Sequence, residues 1–344
     1  RPDLVGLLLE LGADVNAADA TGVTPLHIAS ASGLREVAAK LLAKGANLNA
    51  QDNEGCTSFE IARIYDQGAM MDFFLPAAAP DSRDGAGNTP LHLAVLYNRP
   101  KVVQLMLAKK FDLNAVDNNG NTPLHLAAAK GAVEIAGLLL AKEANVNAVN
   151  KFGATPLHLA VAANQPKFVG LLLDRGAKID PLDQNGRSPL FAAVDAEYTA
   201  MIDLLAKRGA RLDLGDKDGL TPLHVAVNTG KFKAARELLT HGTDANARDN
   251  AKYTPLHWAA TLESPEMLKL LLEFKPGLNP HDKDGHTPLH VAAWFNRVEN
   301  ITLLLNAGAP LNEKNKGGLT PLAMATKNNA AEAAKLLKAK GGFE

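Results

Sequence analysis

The chain has few aromatic residues, a single cysteine, no long apolar run and almost no net charge. Aromatic residues make up 5% of the 344 residues and hydrophobic residues 47%, so the core is expected to consist mainly of aliphatic side chains. The one cysteine, Cys56, excludes internal disulfides and any cysteine-rich metal site. It favours a reducing cytosol, although a cysteine-poor secreted or periplasmic protein would share this trait.

Charge and hydropathy exclude two classes of partner. Lys and Arg number 36 against 37 Asp and Glu, so no general attraction to nucleic-acid phosphates is expected. No run of about 18 apolar residues occurs, which predicts no membrane insertion, and residues 1–15 show no signal peptide. We expect a monomer that needs no cofactor or metal, binds no nucleic acid and does not insert into a membrane.

A segment similar to Thr-Pro-Leu-His recurs along the whole chain. Its first residue, always Thr or Ser, stands at positions 24, 57, 89, 122, 155, 188, 221, 254, 287 and 320. The intervals are 33 residues, with a single interval of 32. A fixed period of this size predicts a solenoid, in which each unit buries its apolar face against its neighbours.

One period, residues 117–150, can be read element by element. Gly120 suits a turn that requires positive φ, and Thr122 with the following proline suits a helix start. Gly131 is typical of a helix end, and residues 133–142 carry apolar side chains at helical spacing. Each unit is therefore predicted to be a turn, a helix, a loop and a second helix.

The repeated motifs resemble those of the ankyrin repeat family over residues 1–344. Segments 12–29, 114–131 and 246–260 carry the match, with Asp or Asn five residues before every capping Thr or Ser. Gly stands two residues before it in every repeat except one, which has Lys252. The resemblance implies an all-α solenoid of antiparallel helix pairs with β-hairpin fingers, which usually binds partner proteins on its concave side.

The array is predicted to be a single domain with three atypical parts. Residues 1–16 form a partial leading repeat whose apolar face would continue into an upstream helix, and residues 320–344 form a capping repeat. Residues 63–88 form a repeat that is one residue short, in which Pro76 is expected to end the second helix early. This segment is either a bend or mobile joint in the array or a neutral deletion.

Seven of the ten histidines are the fourth residue of the repeated motif: His27, His92, His125, His158, His224, His257 and His290. The family resemblance implies a structural clip between a helix start and the adjacent finger. No nucleophile or carboxylate repeats beside them as a catalytic partner would, so the chain is not expected to be an enzyme. The tract between His281 and His286 is interpreted as turn chemistry, and the glycosylation pattern at Asn300 as coincidental.

Residues that depart from the repeat pattern are the candidates for partner contact. Each repeat is numbered here from its capping Thr or Ser. In most repeats, the residues seven and eight positions after this one are small or polar, and so are the residues of the finger. Large side chains there commonly anchor interfaces. The leading candidates lie in repeats eight and nine: Tyr253, Leu262, His286, Trp294 and Phe295. The second group lies in repeats two and three: Tyr65, Leu96 and Tyr97.

These observations predict a non-catalytic scaffold that binds a partner protein through its groove and fingers. Two alternatives stay open at this stage. The chain could be the regulatory or inhibitory arm of a larger protein, or a bacterial effector or cell-envelope protein. The sequence identifies neither the partner nor the compartment.

Overall fold

The computed structural model describes residues 2–109 and 111–344, and the chain divides into two compact units, Arg1–Lys151 and Phe152–Glu344. The helices of the first unit are α1 (Pro2–Glu10), α2 (Pro25–Ala31), α3 (Arg35–Ala43), α4 (Ser58–Ile64), α5 (Gly68–Phe74), α6 (Pro90–Leu96), α7 (Pro100–Leu107), α8 (Pro123–Lys130) and α9 (Val133–Leu140).

The second unit repeats the same helix pairing. Its helices are α10 (Pro156–Ala162), α11 (Pro166–Asp174), α12 (Pro189–Asp195), α13 (Thr199–Lys207), α14 (Pro222–Asn228), α15 (Phe232–Thr240), α16 (Pro255–Thr261), α17 (Glu266–Glu273), α18 (Pro288–Trp294), α19 (Val298–Ala307), α20 (Pro321–Lys327) and α21 (Ala331–Ala339). Within the described ranges every regular element is a helix, which confirms the prediction of an α-helical repeat fold.

The repeated Thr-Pro motif starts the first helix of each repeat, as predicted. Thr89 has extended backbone angles (φ −78°, ψ 166°) and Pro90 follows as the first helical residue. Proline fits this position because the first helical N–H groups have no partner inside the helix. Helix α6, for example, packs against α7, the second helix of its own repeat, and against α8, the first helix of the next repeat.

The fingers are tight turns whose aspartate side chain binds the backbone. The Asp84 carboxylate accepts hydrogen bonds from the backbone N–H groups of Ala86 at 2.9 Å and Asn88 at 2.8 Å. Successive fingers are joined by backbone bonds such as Asn118 N–H to the Ala86 carbonyl, 2.9 Å. In the described part of the chain no strand forms, and a single isolated bridge joins Gln51 to Thr57, so the predicted β-hairpins are not confirmed.

The segment at residues 63–88, which is one residue short, has a buried core, and its helix ends early. Met70 and Phe74 are fully buried and Leu75 nearly so. Helix α5 stops at Phe74, two residues before Pro76. A proline cannot donate a backbone hydrogen bond and restricts the residue before it, so this sequence ends the helix and begins the irregular loop at residues 76–83.

The two terminal helices differ in their apolar exposure. Helix α1 has no fully buried residue; Leu4 and Leu8 are exposed, and Val5 is half-buried against the core of the first unit. In α21, Ala333 and Leu337 are buried. The lysines of the last helix, Lys335, Lys338 and Lys340, are all exposed.

Candidate partner-binding surface

The repeated histidines connect each helix start to the next finger. In the third repeat, Nδ1 of His92 lies 2.8 Å from Oγ1 of Thr89 and accepts the Thr89 backbone N–H at 3.2 Å. Because Nδ1 accepts this bond, Nε2 carries the proton, and it lies 2.9 Å from the Asn121 carbonyl oxygen. Both ring nitrogens therefore form hydrogen bonds with backbone groups, one at the helix start and one in the next finger, as the family resemblance implied.

Burial favours the neutral form of five of these rings. It lowers the pKa of His92, His158, His224 and His290 below the ordinary value, because a buried ring cannot hydrate a positive charge. The same cause lowers the pKa of His257 to about 4. A neutral ring with both nitrogens engaged has no free site for proton transfer to a substrate, which fits a structural role.

The residues chosen from the sequence lie where the first helices end. Tyr65, Tyr97, Leu262 and Phe295 are the C-terminal capping residues of α4, α6, α16 and α18. Their side chains project from the end of the helix rather than from its buried face. The structure places them in two groups, one in each unit.

The first patch, which we define as Tyr65, Leu96 and Tyr97, belongs to the first unit. Tyr65 is 58% exposed, and the neighbouring Ile64 is 54% exposed. Leu96 and Tyr97 are half-buried, and the Tyr97 ring lies 6.0 Å from the ring of Phe59. Partial burial raises the pKa of the Tyr97 hydroxyl, so this group stays protonated and can donate a hydrogen bond.

A cavity of about 310 Å³ opens beside the first patch. Its apolar wall includes Phe59, Leu75 and Tyr97, and its polar wall includes Glu60 and Arg63. Glu60 replaces the clip histidine, and its carboxylate accepts the Thr57 backbone N–H at 2.6 Å. The Arg63 side chain is exposed and has no hydrogen-bond or ion-pair partner among the described residues. The cavity thus has an apolar wall and, in Arg63, a positively charged side chain that a ligand could bind.

The second patch, which we define as Tyr253, Leu262, His286, Trp294 and Phe295, belongs to the second unit. Phe295 is 46% exposed, whereas the other four are half-buried. The Tyr253 ring stacks on His257 at 5.0 Å, and Nδ1 of His286 lies 3.0 Å from the Asp282 carboxylate. Tyr253 and His286 are therefore held by contacts within the repeat, and Phe295 is the most accessible member.

Trp258 lies at the edge of the core, between a first helix and its finger. The side chain is half-buried, and its indole N–H donates to the Asp249 carboxylate at 3.1 Å. The fourth position after the capping residue faces the finger, where an indole can satisfy its polar edge. Trp258 therefore joins a first helix to its own finger.

The tract between His281 and His286 forms turn chemistry, as interpreted from the sequence. One oxygen of Asp282 accepts the backbone N–H groups of Asp284 at 2.8 Å and His286 at 2.7 Å. The His281 ring lies outside this turn, 3.4 Å from Glu313. The carboxylate that would be the central metal ligand is thus already engaged by the finger.

Asn300 has a structural role that the sequence did not reveal. It is 1% exposed, and its amide donates to the backbone carbonyls of Leu262 at 2.9 Å and Ala259 at 3.3 Å. Leu262 has an extended conformation (ψ 149°) at the end of α16, and the Asn300 amide binds its carbonyl. The burial of Asn300 also removes it as a glycosylation site. The only signal was a polar residue at a position that is apolar in the other repeats.

Sequence reasoning also missed apolar residues on the fingers. Val116 and Val149 in the first unit, and Leu182 in the second, are 44%, 60% and 52% exposed at the same position of three repeats. A comparison of this position across repeats would have found them, because the other repeats have Ala, Gln, Arg, Gly, His or Lys there.

Comparison with protein families gives matches along almost the whole chain. A family described as ankyrin repeats in three copies matches residues 58–150, 143–216, 208–280, 244–315 and 265–343, and one described as ankyrin repeats in many copies matches residues 8–62. Ankyrin repeats are generally protein–protein interaction modules. Among the described residues no helix has both the length and the hydropathy to cross a lipid bilayer. The chain belongs to the ankyrin repeat family.

Proposed function

We propose that this chain is a non-catalytic scaffold that binds a partner protein, and that the first patch with its cavity is the main contact. The observation that carries this proposal is the combination of an exposed Tyr65 with a cavity of about 310 Å³ lined by Tyr97. Interfaces usually derive most of their binding free energy from a few aromatic or arginine side chains that become desolvated at a pocket.

The chemistry of the cavity suggests what the partner inserts. Phe59, Leu75 and Tyr97 favour an apolar side chain, and Arg63 at the rim favours a carboxylate or a backbone carbonyl beside it. A partner segment with an apolar residue next to an acidic residue would match both walls. The second patch then provides a further contact through Phe295, its most accessible residue.

The test is a set of binding measurements with a purified partner that has first been captured on the immobilised chain. Tyr65→Ala should weaken binding roughly thirtyfold, which corresponds to about 2 kcal/mol. Ala78→Trp, which fills the cavity from the irregular loop, should weaken binding by at least as much. Both variants should keep the helical circular dichroism of the parent chain.

Two sets of control variants show which patch makes the main contact. Lys130→Ala changes the equivalent position of the fourth repeat and should leave the affinity unchanged. Trp294→Ala and Phe295→Ala report on the second patch. If these two weaken binding while Tyr65→Ala and Ala78→Trp do not, the main contact lies in repeats eight and nine. If none of the four variants changes the affinity, the proposal is wrong for both patches.

A further inference from the structure

Glu237 and His241 in the seventh repeat differ from the residues that most other repeats have at the same positions. The position of Glu237 holds leucine in seven of the other nine repeats, and the position of His241 holds lysine or arginine in six. The two residues are four apart at the C-terminal end of α15, so they lie on one face of the helix. A double departure on one face indicates a shared role.

Asp203 from the preceding repeat completes a three-residue cluster. Nε2 of His241 lies 3.2 Å from Oδ1 of Asp203 and 3.3 Å from Oε1 of Glu237. The three ligand atoms all lie within 4.8 Å of one another. The side chains are 23% to 33% exposed, so the cluster is accessible to solvent and rests on two rigid helices, α13 and α15.

The spacing of these atoms fits a transition metal ion. Zinc binds imidazole nitrogen and carboxylate oxygen at roughly 2.0–2.2 Å in a tetrahedron. Two ligands of such a tetrahedron are about 3.3 Å apart, which follows from the same bond lengths. The two distances from Nε2 already match this value. Imidazole also favours transition metals over Ca²⁺ and Mg²⁺, which prefer oxygen ligands.

Lys207 orients the aspartate in this cluster. Its ammonium group donates to Oδ2 of Asp203 at 2.8 Å, and this leaves Oδ1 directed towards His241. Metal-binding carboxylates are commonly held by such a hydrogen bond on the oxygen that does not bind the metal. The lysine thus fixes the ligand oxygen.

We propose that Asp203, Glu237 and His241 form a binding site for a divalent first-row transition metal ion, with water completing the coordination. In the bound state Nε2 of His241 coordinates the ion and Nδ1 carries the ring proton. The bound ion would connect the second helices of repeats six and seven. This site is separate from the proposed partner surface and does not depend on it.

The other cluster of possible ligands in the described residues lacks these features. Asp282, Asp284 and His286 also lie close together. However, Oδ1 of Asp282 accepts two backbone N–H groups of the finger turn, and its Oδ2 lies 3.0 Å from Nδ1 of His286. A metal ion there would have to displace bonds that form the turn, and we expect no binding.

The test is calorimetric titration of the tag-free 344-residue chain with Zn²⁺ at pH 7.5, together with its melting midpoint with and without Zn²⁺. The parent chain should bind one ion per chain at this cluster and melt at a higher temperature with Zn²⁺. Glu237→Leu introduces the residue that seven of the other nine repeats carry, and His241→Lys introduces a residue that four of them carry, so both should fold. Each should weaken binding by at least about tenfold, as loss of a ligand or its support does.

His286→Leu is the matched control, because it removes a histidine from the other cluster, and it should bind Zn²⁺ as the parent chain does. Absence of saturable binding to the parent chain would overturn the proposal, since the cluster would then be an ion pair alone. Retained affinity in both His241→Lys and Glu237→Leu would overturn it as well. Loss of binding in His286→Leu alone would assign the ion to the finger.

Discussion

The buried histidine clips make the stability of the second unit depend on pH, and His257 shows the effect most strongly. Folding lowers the pKa of this ring from 6.5 to about 4 because the ring is buried, with Nε2 bound to the His286 carbonyl at 3.1 Å. The unfolded chain therefore binds a proton below pH 6.5, whereas the folded chain does not until about pH 4. The contribution of this ring to the free energy of unfolding is therefore fully present above pH 6.5. It decreases between pH 6.5 and about pH 4 and does not change further below about pH 4.

The magnitude follows from the size of the shift. Each pKa unit corresponds to about 1.4 kcal/mol, so the shift from 6.5 to about 4 gives a total loss of about 3 kcal/mol for His257. Between pH 7.5 and pH 5.0 the loss is about 2 kcal/mol. His224 and His290 in the same unit have pKa values shifted in the same direction, so the loss for the whole unit is larger.

Urea unfolding at pH 7.5 and pH 5.0, followed by tryptophan fluorescence, measures this loss where it occurs. The chain has two tryptophans, Trp258 and Trp294, and they lie in the two repeats that the His257 clip joins. A loss of about 2 kcal/mol should lower the urea midpoint by about 1 M, for a typical denaturant slope of about 2 kcal/mol per M.

A variant separates this ring from the other titrating groups. His257→Gln should be less stable at pH 7.5, but it should lose about 2 kcal/mol less than the parent chain between pH 7.5 and pH 5.0. Equal losses in His257→Gln and the parent chain would refute the reasoning that a buried neutral ring closes the clip.

Three further predictions concern the backbone and the buried polar groups. Lys252 has a positive φ of 64° where other repeats have Gly. Lys252→Gly should therefore stabilise the chain by about 1 kcal/mol in denaturant unfolding. A decrease in the free energy of unfolding would contradict the assignment of backbone strain. Gly120→Ala should lower the melting temperature, because its Cβ would lie 2.8 Å from the Lys151 nitrogen at a φ of 78°; an unchanged melting temperature would show that the finger can move apart. Asn300→Ala should destabilise the chain by roughly 1–3 kcal/mol, because it removes the amide that donates to the Leu262 carbonyl. Thr302→Ala also removes the glycosylation pattern but should have a smaller effect, and equal effects would count against the hydrogen-bond explanation.

The features that the sequence predicted well are those with local causes. The helix starts at Thr-Pro, the end of α8 at Gly131 and the early end of α5 before Pro76 each depend on a few neighbouring residues. The clip histidines were also predictable, through the family resemblance, because their partners recur at a fixed distance of 29 residues.

The features that escaped prediction depend on contacts between repeats that are not periodic. Asn300 binds the Leu262 carbonyl from the next repeat because one turn has an unusual conformation. The cavity beside Tyr97 exists because Glu60 replaces a clip and a loop replaces the end of a helix. Neither the repeat period nor residue propensity carries this information, since both describe what the repeats share.

Hydrogen–deuterium exchange of the chain with and without its purified partner tests directly whether the partner binds at the first patch. Binding there should slow exchange in the complex at the C-terminal ends of α4 and α6 and in the loop at residues 76–83, which surround the cavity. Slower exchange confined to the second helices α3, α5 and α7, with no change at these segments, would contradict it.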